Sequence, residues 1–225
     1  TLVDHALVRR LRSGRLDMHL VIREMGRARL AESPAEQDAV RDRHRDHYLG
    51  LLVERQAALE SDRAACAAAE IDVELANVRA AWQRALEQPD AGRIREALPS
   101  LAGYLQQAGR FAEGQEMLGA AADRLLAFRE DDPEANAVAA RLRAAQADVC
   151  MRRGLHPEVV QLATEAVQLA RAAGDPRCEA DAEFCRGVAL RQQFRLDEAL
   201  DHLRRALELD ATARAGEDRP DSSYL

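Results

Sequence analysis

The chain has 225 residues and is 47% hydrophobic but only 4% aromatic. The abundance of Ala, Leu, Arg and Glu favours helices and argues against an all-β fold, a collagen-like chain and a disordered one. The 32 basic residues, all arginine, stand against 39 acidic ones, for a net charge of −7. Charged residues interrupt every apolar stretch well before the roughly 20 residues that a membrane span needs.

Residues 1–32 predict a turn between two short extended segments, followed by a helix. The turn is Ser13-Gly14, after which Leu16, Met18 and Leu20 alternate with other residues as in a strand. Residues 1–30 contain seven arginines and only three acidic residues, so this segment is basic while the rest of the chain is acidic.

The basic segment raises the alternative of a DNA-binding protein. Its phosphate contacts would come from a cluster of four arginines: Arg9, Arg10, Arg12 and Arg15. The acidic remainder of the chain would repel DNA over most of the surface. DNA binding is therefore the weaker interpretation.

From residue 33 onward, helix start and stop signals are unusually clear. Three helices are predicted to begin at a capping residue followed by proline: Ser33-Pro34, Asp132-Pro133 and Asp175-Pro176. Three glycines are placed to end helices with a positive φ: Gly109, Gly154 and Gly174. The predicted helices lie near 34–59, 62–69, 70–88, 91–108, 111–129, 133–153, 157–173, 176–193 and 197–210, and the polar residues 211–225 predict a frayed tail.

Three segments of the second half align with one another at offsets of 45 and 40 residues. A small residue on the first helix of each recurs at Ala102, Ala147 and Gly187. Twelve positions later come Gly114, Val159 and Ala199, and seven further on come Ala121, Ala166 and Ala206. Small side chains at these positions would let two antiparallel helices approach closely, although an ordinary helical bundle with coincidental alanine spacing is the alternative.

This pattern resembles the tetratricopeptide repeat (TPR) family. The closest match is GVALRQQFRLDEALDHLRRAL, which starts at Gly187, and a weaker leading repeat includes Trp82. The resemblance implies an all-α fold, a right-handed superhelix of antiparallel helix pairs over residues 62–210. The offsets exceed the usual repeat of roughly 34 residues, so we expect longer helices or connections.

The beginning of the chain resembles signal-transduction ATPases with numerous domains (STAND proteins). The matching features are LVDHALV, the Met18-His19 pair before IREMGRARL, and ELANVRAAWQRAL at 74–86. The resemblance implies that residues 1–32 are the C-terminal part of a winged-helix domain and that residues 33–61 form a long connecting helix. It also implies that His19 senses the phosphates of bound ADP in the parent protein, although Leu20 stands where the family has Asp.

The chain itself is not expected to hydrolyse ATP or to be an enzyme. Without lysine it has no GxxxxGK[ST] phosphate loop, so ADP or ATP would act only through a domain absent from this chain. No catalytic constellation is recognisable. His44 and His47 have the spacing of metal ligands on a helix, but Asp46 is the one candidate for a third ligand in phase, so we expect a solvated helix face and no metal.

The four cysteines, Cys66, Cys150, Cys178 and Cys185, lack CxxC spacing and predict buried thiols in a reducing cytoplasm.

The TPR resemblance implies a concave groove lined by the first helix of each pair. Its groove-facing positions correspond to Gln106, Gln107, Arg141, Asp148, Met151, Arg152, Asp181, Phe184, Arg191 and Gln192. Arginine and amide side chains beside Phe suit an extended peptide or a helix that carries acidic groups. Pro99 is expected to kink the first of these helices or to destabilise it by about 3 kcal/mol.

Together these features predict a non-catalytic protein- or ligand-interaction module, the sensor region of a cytoplasmic, multidomain bacterial regulator of transcription. Its partners would be a protein or peptide in the groove and a nucleotide-binding domain of the same parent, with no membrane contact. The initial Thr favours a fragment of a longer protein. A free-standing TPR adaptor or a peptide-pheromone receptor is the alternative.

Overall fold

The computed structural model describes residues 7–11, 16–128 and 132–217. The chain divides into two compact units, Thr1–His47 and Tyr48–Leu225. In the described ranges the fold is all-α apart from one two-stranded sheet. None of the helices described is both long and apolar enough to cross a lipid bilayer.

The N-terminal unit contains the extended segments expected from its sequence. Strands β1 (Val8–Arg10) and β2 (Leu16–Met18) pair antiparallel, with Arg9 opposite Asp17. The Arg9 guanidinium donates to the Asp17 carboxylate at 2.7 Å, which ties the two strands together on their exposed side. The predicted turn at Ser13-Gly14 lies outside the described residues.

Ten helices follow the sheet in the described chain. They are α1 (Leu20–Ala31), α2 (Pro34–Leu59), α3 (Ala64–Val73), α4 (Leu75–Glu87), α5 (Ala91–Gln107), α6 (Phe111–Phe128), α7 (Pro133–Arg152), α8 (His156–Ala173), α9 (Pro176–Gln192) and α10 (Leu196–Glu217). From α5 onward every predicted start is confirmed to within one residue. The caps explain this agreement, because Asp132 accepts from the Glu134 amide and Asp175 from the Cys178 amide, both at 3.0 Å.

Two predicted helix ends were wrong. The helix α3 continues to Val73 instead of ending at 69, because Ile71 is fully buried and extends its apolar face. The helix α10 continues to Glu217, although a frayed tail was predicted from 211. Leu209 is buried and Ala213 is half-buried, so the packed face of α10 runs past the predicted end. Residues 218–225 lie outside the described chain.

The turns inside the three aligned hairpins share one backbone geometry. The residue with positive φ is Gly109 in the first, Gly154 in the second and Phe194 in the third. The next amide donates to the carbonyl five residues earlier in each turn: Arg110 to Leu105, Leu155 to Cys150 and Arg195 to Leu190, at 2.8, 3.0 and 3.0 Å. This is the Schellman ending of a helix. The aligned segments are therefore equivalent in backbone geometry as well as in sequence.

The first helices of successive hairpins also contact one another. The helix α3 contacts α5, α5 contacts α7, and α7 contacts α9, while each of α7 to α10 packs on its neighbour in sequence. The recurring small residues Ala121, Ala166 and Ala206, on the second helices of the hairpins, are all buried. The C-terminal unit thus consists of helical hairpins arranged like repeats, with their first helices side by side.

Candidate functional site

An open groove of about 370 Å³ runs along α5, α7 and α9. We call it the α5–α7–α9 groove. Its lining consists of Arg95, Leu98, Pro99 and Ala102 from α5, of Arg141, Ala144, Ala145, Asp148 and Met151 from α7, and of Cys178, Asp181, Phe184 and Cys185 from α9. One surface built from the first helices of three successive hairpins is what stacked hairpins provide for binding.

Half of the ten groove residues predicted from the sequence line this groove. They are Arg141, Asp148, Met151, Asp181 and Phe184. A sixth, Gln106, donates its side-chain amide to the Asp148 carboxylate at 2.5 Å. The remaining four are exposed and lie outside this lining: Gln107, Arg152, Arg191 and Gln192.

Sequence reasoning missed the wall that α5 contributes. The prediction for this helix rested on its last turn, whereas the lining comes from earlier turns, around Pro99 and Ala102. The internal alignment held a usable signal. At offsets of 45 and 40 residues, Pro99 is equivalent to Ala144 and to Phe184, and all three line the groove.

Pro99 sits inside α5, which is assigned as one α-helix from Ala91 to Gln107. Proline has no amide hydrogen, so it cannot donate to the carbonyl of Arg95, one turn earlier. Pro99 is exposed, and both residues line the groove. The missing backbone hydrogen bond therefore lies on the side of α5 that lines the groove.

The charges of the groove differ from those expected from the sequence. Arg141 is already paired within the chain, since its Nη2 and Nε lie 2.7 and 3.0 Å from the Asp175 carboxylate. Burial opposes ionisation of Asp175, but the Cys178 amide and Arg141 hold its pKa below the usual value. Arg141 thus holds the Asp175 carboxylate that caps the start of α9, which leaves it less able to donate to an acidic ligand.

The carboxylates of Asp148 and Asp181 are more available than Arg141. Neither forms an ion pair within the described ranges, although Gln106 donates to Asp148. Burial is the main reason why the pKa of Asp181 is raised, with nearby Arg177 opposing the shift. Asp181 is exposed and Asp148 half-buried, and two accessible carboxylates without an ion pair favour a ligand that brings hydrogen-bond donors or positive charge.

Apolar side chains line the same groove as these carboxylates. Phe184 is 55% exposed, while Leu98 is buried and Met151 half-buried beside it in the lining. Exposed aromatic side chains in a concave site are typical anchors for a partner. The groove can therefore hold an apolar side chain flanked by hydrogen-bond donors.

The two cysteines that line the groove, Cys178 and Cys185, are not activated as nucleophiles. Burial raises the pKa of Cys178 and of Cys185 to about 12, so both stay protonated near neutral pH. Cys150 is also buried, as predicted. The prediction was wrong for Cys66, which is exposed on α3 because its side chain lies on the opposite face from Ile71.

His19 lies in the N-terminal unit, at the edge of a cavity of about 470 Å³ formed with Arg9, Asp17 and Arg23. Its Nδ1 accepts from the Val21 amide at 3.3 Å and so caps α1. The Arg9 hydrogen bond lowers the pKa of Asp17 and engages one member of the basic cluster. Arg12 and Arg15 lie outside the described residues.

Metal binding has no candidate in the described part of the chain, where no three His, Cys, Asp or Glu side chains are grouped as ligands. His44 and His47 lie on α2.

The chain matches no protein-family model, no curated protein and no solved structure. The likeness to TPR and STAND proteins therefore stays a resemblance carried by the residues named above.

Proposed function

We propose that this chain is a non-catalytic interaction module and that its α5–α7–α9 groove binds a segment of a partner protein or a peptide. The observation that carries the proposal is the shared groove, to which three successive first helices contribute equivalent positions, Pro99, Ala144 and Phe184. The common Schellman turns and the buried small residues support a TPR-like superhelix of antiparallel pairs as its scaffold.

The ligand in this proposal places an apolar side chain against Phe184 and directs donors or a cation toward Asp148 and Asp181. The pairing of Arg141 with Asp175 engages one of the two arginines of the lining, whereas both of its aspartates are without an ion pair in the described chain, which supports this choice over an acidic ligand. The carbonyl of Arg95, which receives no hydrogen bond from Pro99, offers one further acceptor to a donor of the ligand.

The biological setting that we propose is the sensor region of a STAND-type transcriptional regulator in the cytoplasm. The hairpin that precedes α1 and the position of His19 at the start of that helix support the end of a winged-helix domain. In such a parent protein, a ligand in the groove would act on the nucleotide-binding domain only if it bound one of two conformations of the whole protein more tightly than the other.

The test uses phage-displayed random peptides selected against the full chain. Each selected peptide is then titrated against wild type, Phe184→Ala and Phe128→Ala. Phe128 is the matched control, because it is 56% exposed compared with 55% for Phe184 and lies on α6, outside the groove lining.

We expect Phe184→Ala to weaken peptide binding about tenfold, as for an aromatic anchor that the bound peptide buries. Phe128→Ala should leave the affinity unchanged. The double variant Asp148→Asn with Asp181→Asn should weaken the binding of basic peptides more than the binding of neutral ones. Equal affinity of the selected peptides for wild type and Phe184→Ala would contradict the proposal.

A further inference from the structure

The helix α10 carries an apolar seam that the described part of the chain leaves exposed. Leu196, Leu200 and Leu207 are 60%, 46% and 72% exposed, and Leu203 between them is half-buried. These four residues, which we call the α10 seam, are spaced by four, three and four residues. That alternation places them in one line along a helix, as in the contact line of a coiled coil.

The seam is distinct from the face by which α10 joins the fold. Ala199, Ala206 and Leu209 are buried, and α10 packs against α9. Leu203 borders both faces, since it also touches Gly187 of α9. Several large apolar side chains exposed in one line on a helix mark a surface for a partner.

We propose that the α10 seam pairs with the same seam of a second copy of this chain, antiparallel and about a two-fold axis. In an antiparallel pair each residue faces one from the opposite half of the other helix. Leu196 then meets Leu207 of the second copy, and Leu200 meets Leu203. The symmetry repeats both contacts, which gives four continuous leucine layers.

Charges beside the seam select this register. Asp197 and Arg204 occupy equivalent positions one residue after Leu196 and Leu203, on the exposed flank of the seam. In the four-layer register Asp197 of each copy lies beside Arg204 of the other. A shift by seven residues in either direction removes leucine layers and brings Asp197 against Asp197 or Arg204 against Arg204.

These two side chains are also available, whereas neighbouring charges on the helix are occupied. Arg195 is paired with Glu198 at 2.6 Å, and Arg205 lies near Glu179 and Glu208. No ion pair engages Asp197 or Arg204 in the ranges that the structure describes. The seam stops at both ends on polar residues, Gln193 and Asp210, which limits pairing to these four layers.

The experiment measures the mass of the full chain by analytical ultracentrifugation over a range of concentrations. We expect it to rise with concentration from 24.9 kDa toward twice that value. Leu200→Glu should abolish the rise while the circular dichroism stays helical. The control is Val73→Glu, which places the same charge on an exposed residue of α3 and should leave the rise unchanged.

The charge pair gives the sharper test of the register. Asp197→Arg and Arg204→Asp should each weaken association at least about tenfold, because each creates two like-charge contacts per dimer. The double variant Asp197→Arg with Arg204→Asp should restore it. Failure of that double variant to dimerise would overturn the register, provided that circular dichroism shows it folded to the same extent as the single variants.

A mass that stays at one chain at every concentration, or a dimer that Leu200→Glu does not dissociate, would overturn the proposal itself. The outcome is independent of the groove, since Phe184→Ala should leave the mass unchanged.

Discussion

A Cβ atom at Gly187 would lie 2.7 Å from Cγ of Leu203 and 3.1 Å from the carbonyl oxygen of Ala199. The helices α9 and α10 therefore approach more closely there than any side chain larger than hydrogen allows. This contact joins the first and second helices of the third repeat, at one of the positions where the sequence places recurring small residues.

Gly187→Ala should destabilise the protein by about 1–3 kcal/mol, because the methyl group forces Leu203 and the α10 backbone to move. Urea unfolding followed by circular dichroism measures the loss. The matched control is Gly50→Ala in α2, where nothing lies within 4 Å of the added atom. That helical substitution should stabilise by up to about 1 kcal/mol, and a Gly187→Ala protein as stable as wild type would contradict the close approach.

Tyr104 links α5 to α3 through a pH-dependent contact. Its hydroxyl donates to the Asp72 carboxylate at 2.7 Å, and burial together with this hydrogen bond raises the pKa of Tyr104 to about 12. The folded state holds the hydroxyl proton more tightly than the unfolded state. The protonated Tyr104 therefore contributes fully to the free energy of unfolding below pH 10, and this contribution is lost as the pH rises from 10 to 12.

Tyr104→Phe should therefore be about 1 kcal/mol less stable than wild type near neutral pH, and the difference should shrink above pH 10. Urea unfolding of both proteins at a series of pH values measures it. A difference that stays constant up to pH 12 would show that Tyr104 does not hold its proton in this way.

Phe194 occupies the turn position at which the two other hairpins have glycine. Its φ is +60°, and its side chain is 87% exposed. A residue with a Cβ atom pays for this left-handed conformation, so Phe194→Gly should stabilise the protein by about 1 kcal/mol. Phe194→Ala keeps the Cβ atom and should change stability little. Thermal unfolding of the three proteins tests this, and an equal gain from both variants would point to the ring instead of the backbone.

The four cysteines should differ sharply in their reactivity. Cys66 is exposed, whereas Cys150, Cys178 and Cys185 are buried, and burial raises the pKa of each of these three thiols. With a thiol-specific disulfide reagent near neutral pH, one thiol of the native protein should react quickly and the others only as the protein opens. Cys66→Ser should remove the fast phase, and its persistence would show that a groove thiol is open to solvent.

The sequence determined the helices and their repetition. Asp132 and Asp175 start helices, and Gly109 and Gly154 end them, through hydrogen bonds to amides and carbonyls within a few residues, so the pattern of neighbours along the chain is sufficient. The alanines and glycines that recur at equivalent positions likewise predicted where helices pack closely, because a close approach of two helices requires small side chains.

Only the tertiary structure decided which charges remain available in the groove and which apolar faces stay uncovered. Arg141 and Asp175 are 34 residues apart, and their pairing depends on how α7 packs beside α9. Leu203 is partly covered by α9, whereas Leu200, one turn earlier, is left exposed, a difference that the repeating pattern of α10 does not contain. Such long-range contacts arise from packing between separate helices, and the spacing of residues along one helix cannot fix them.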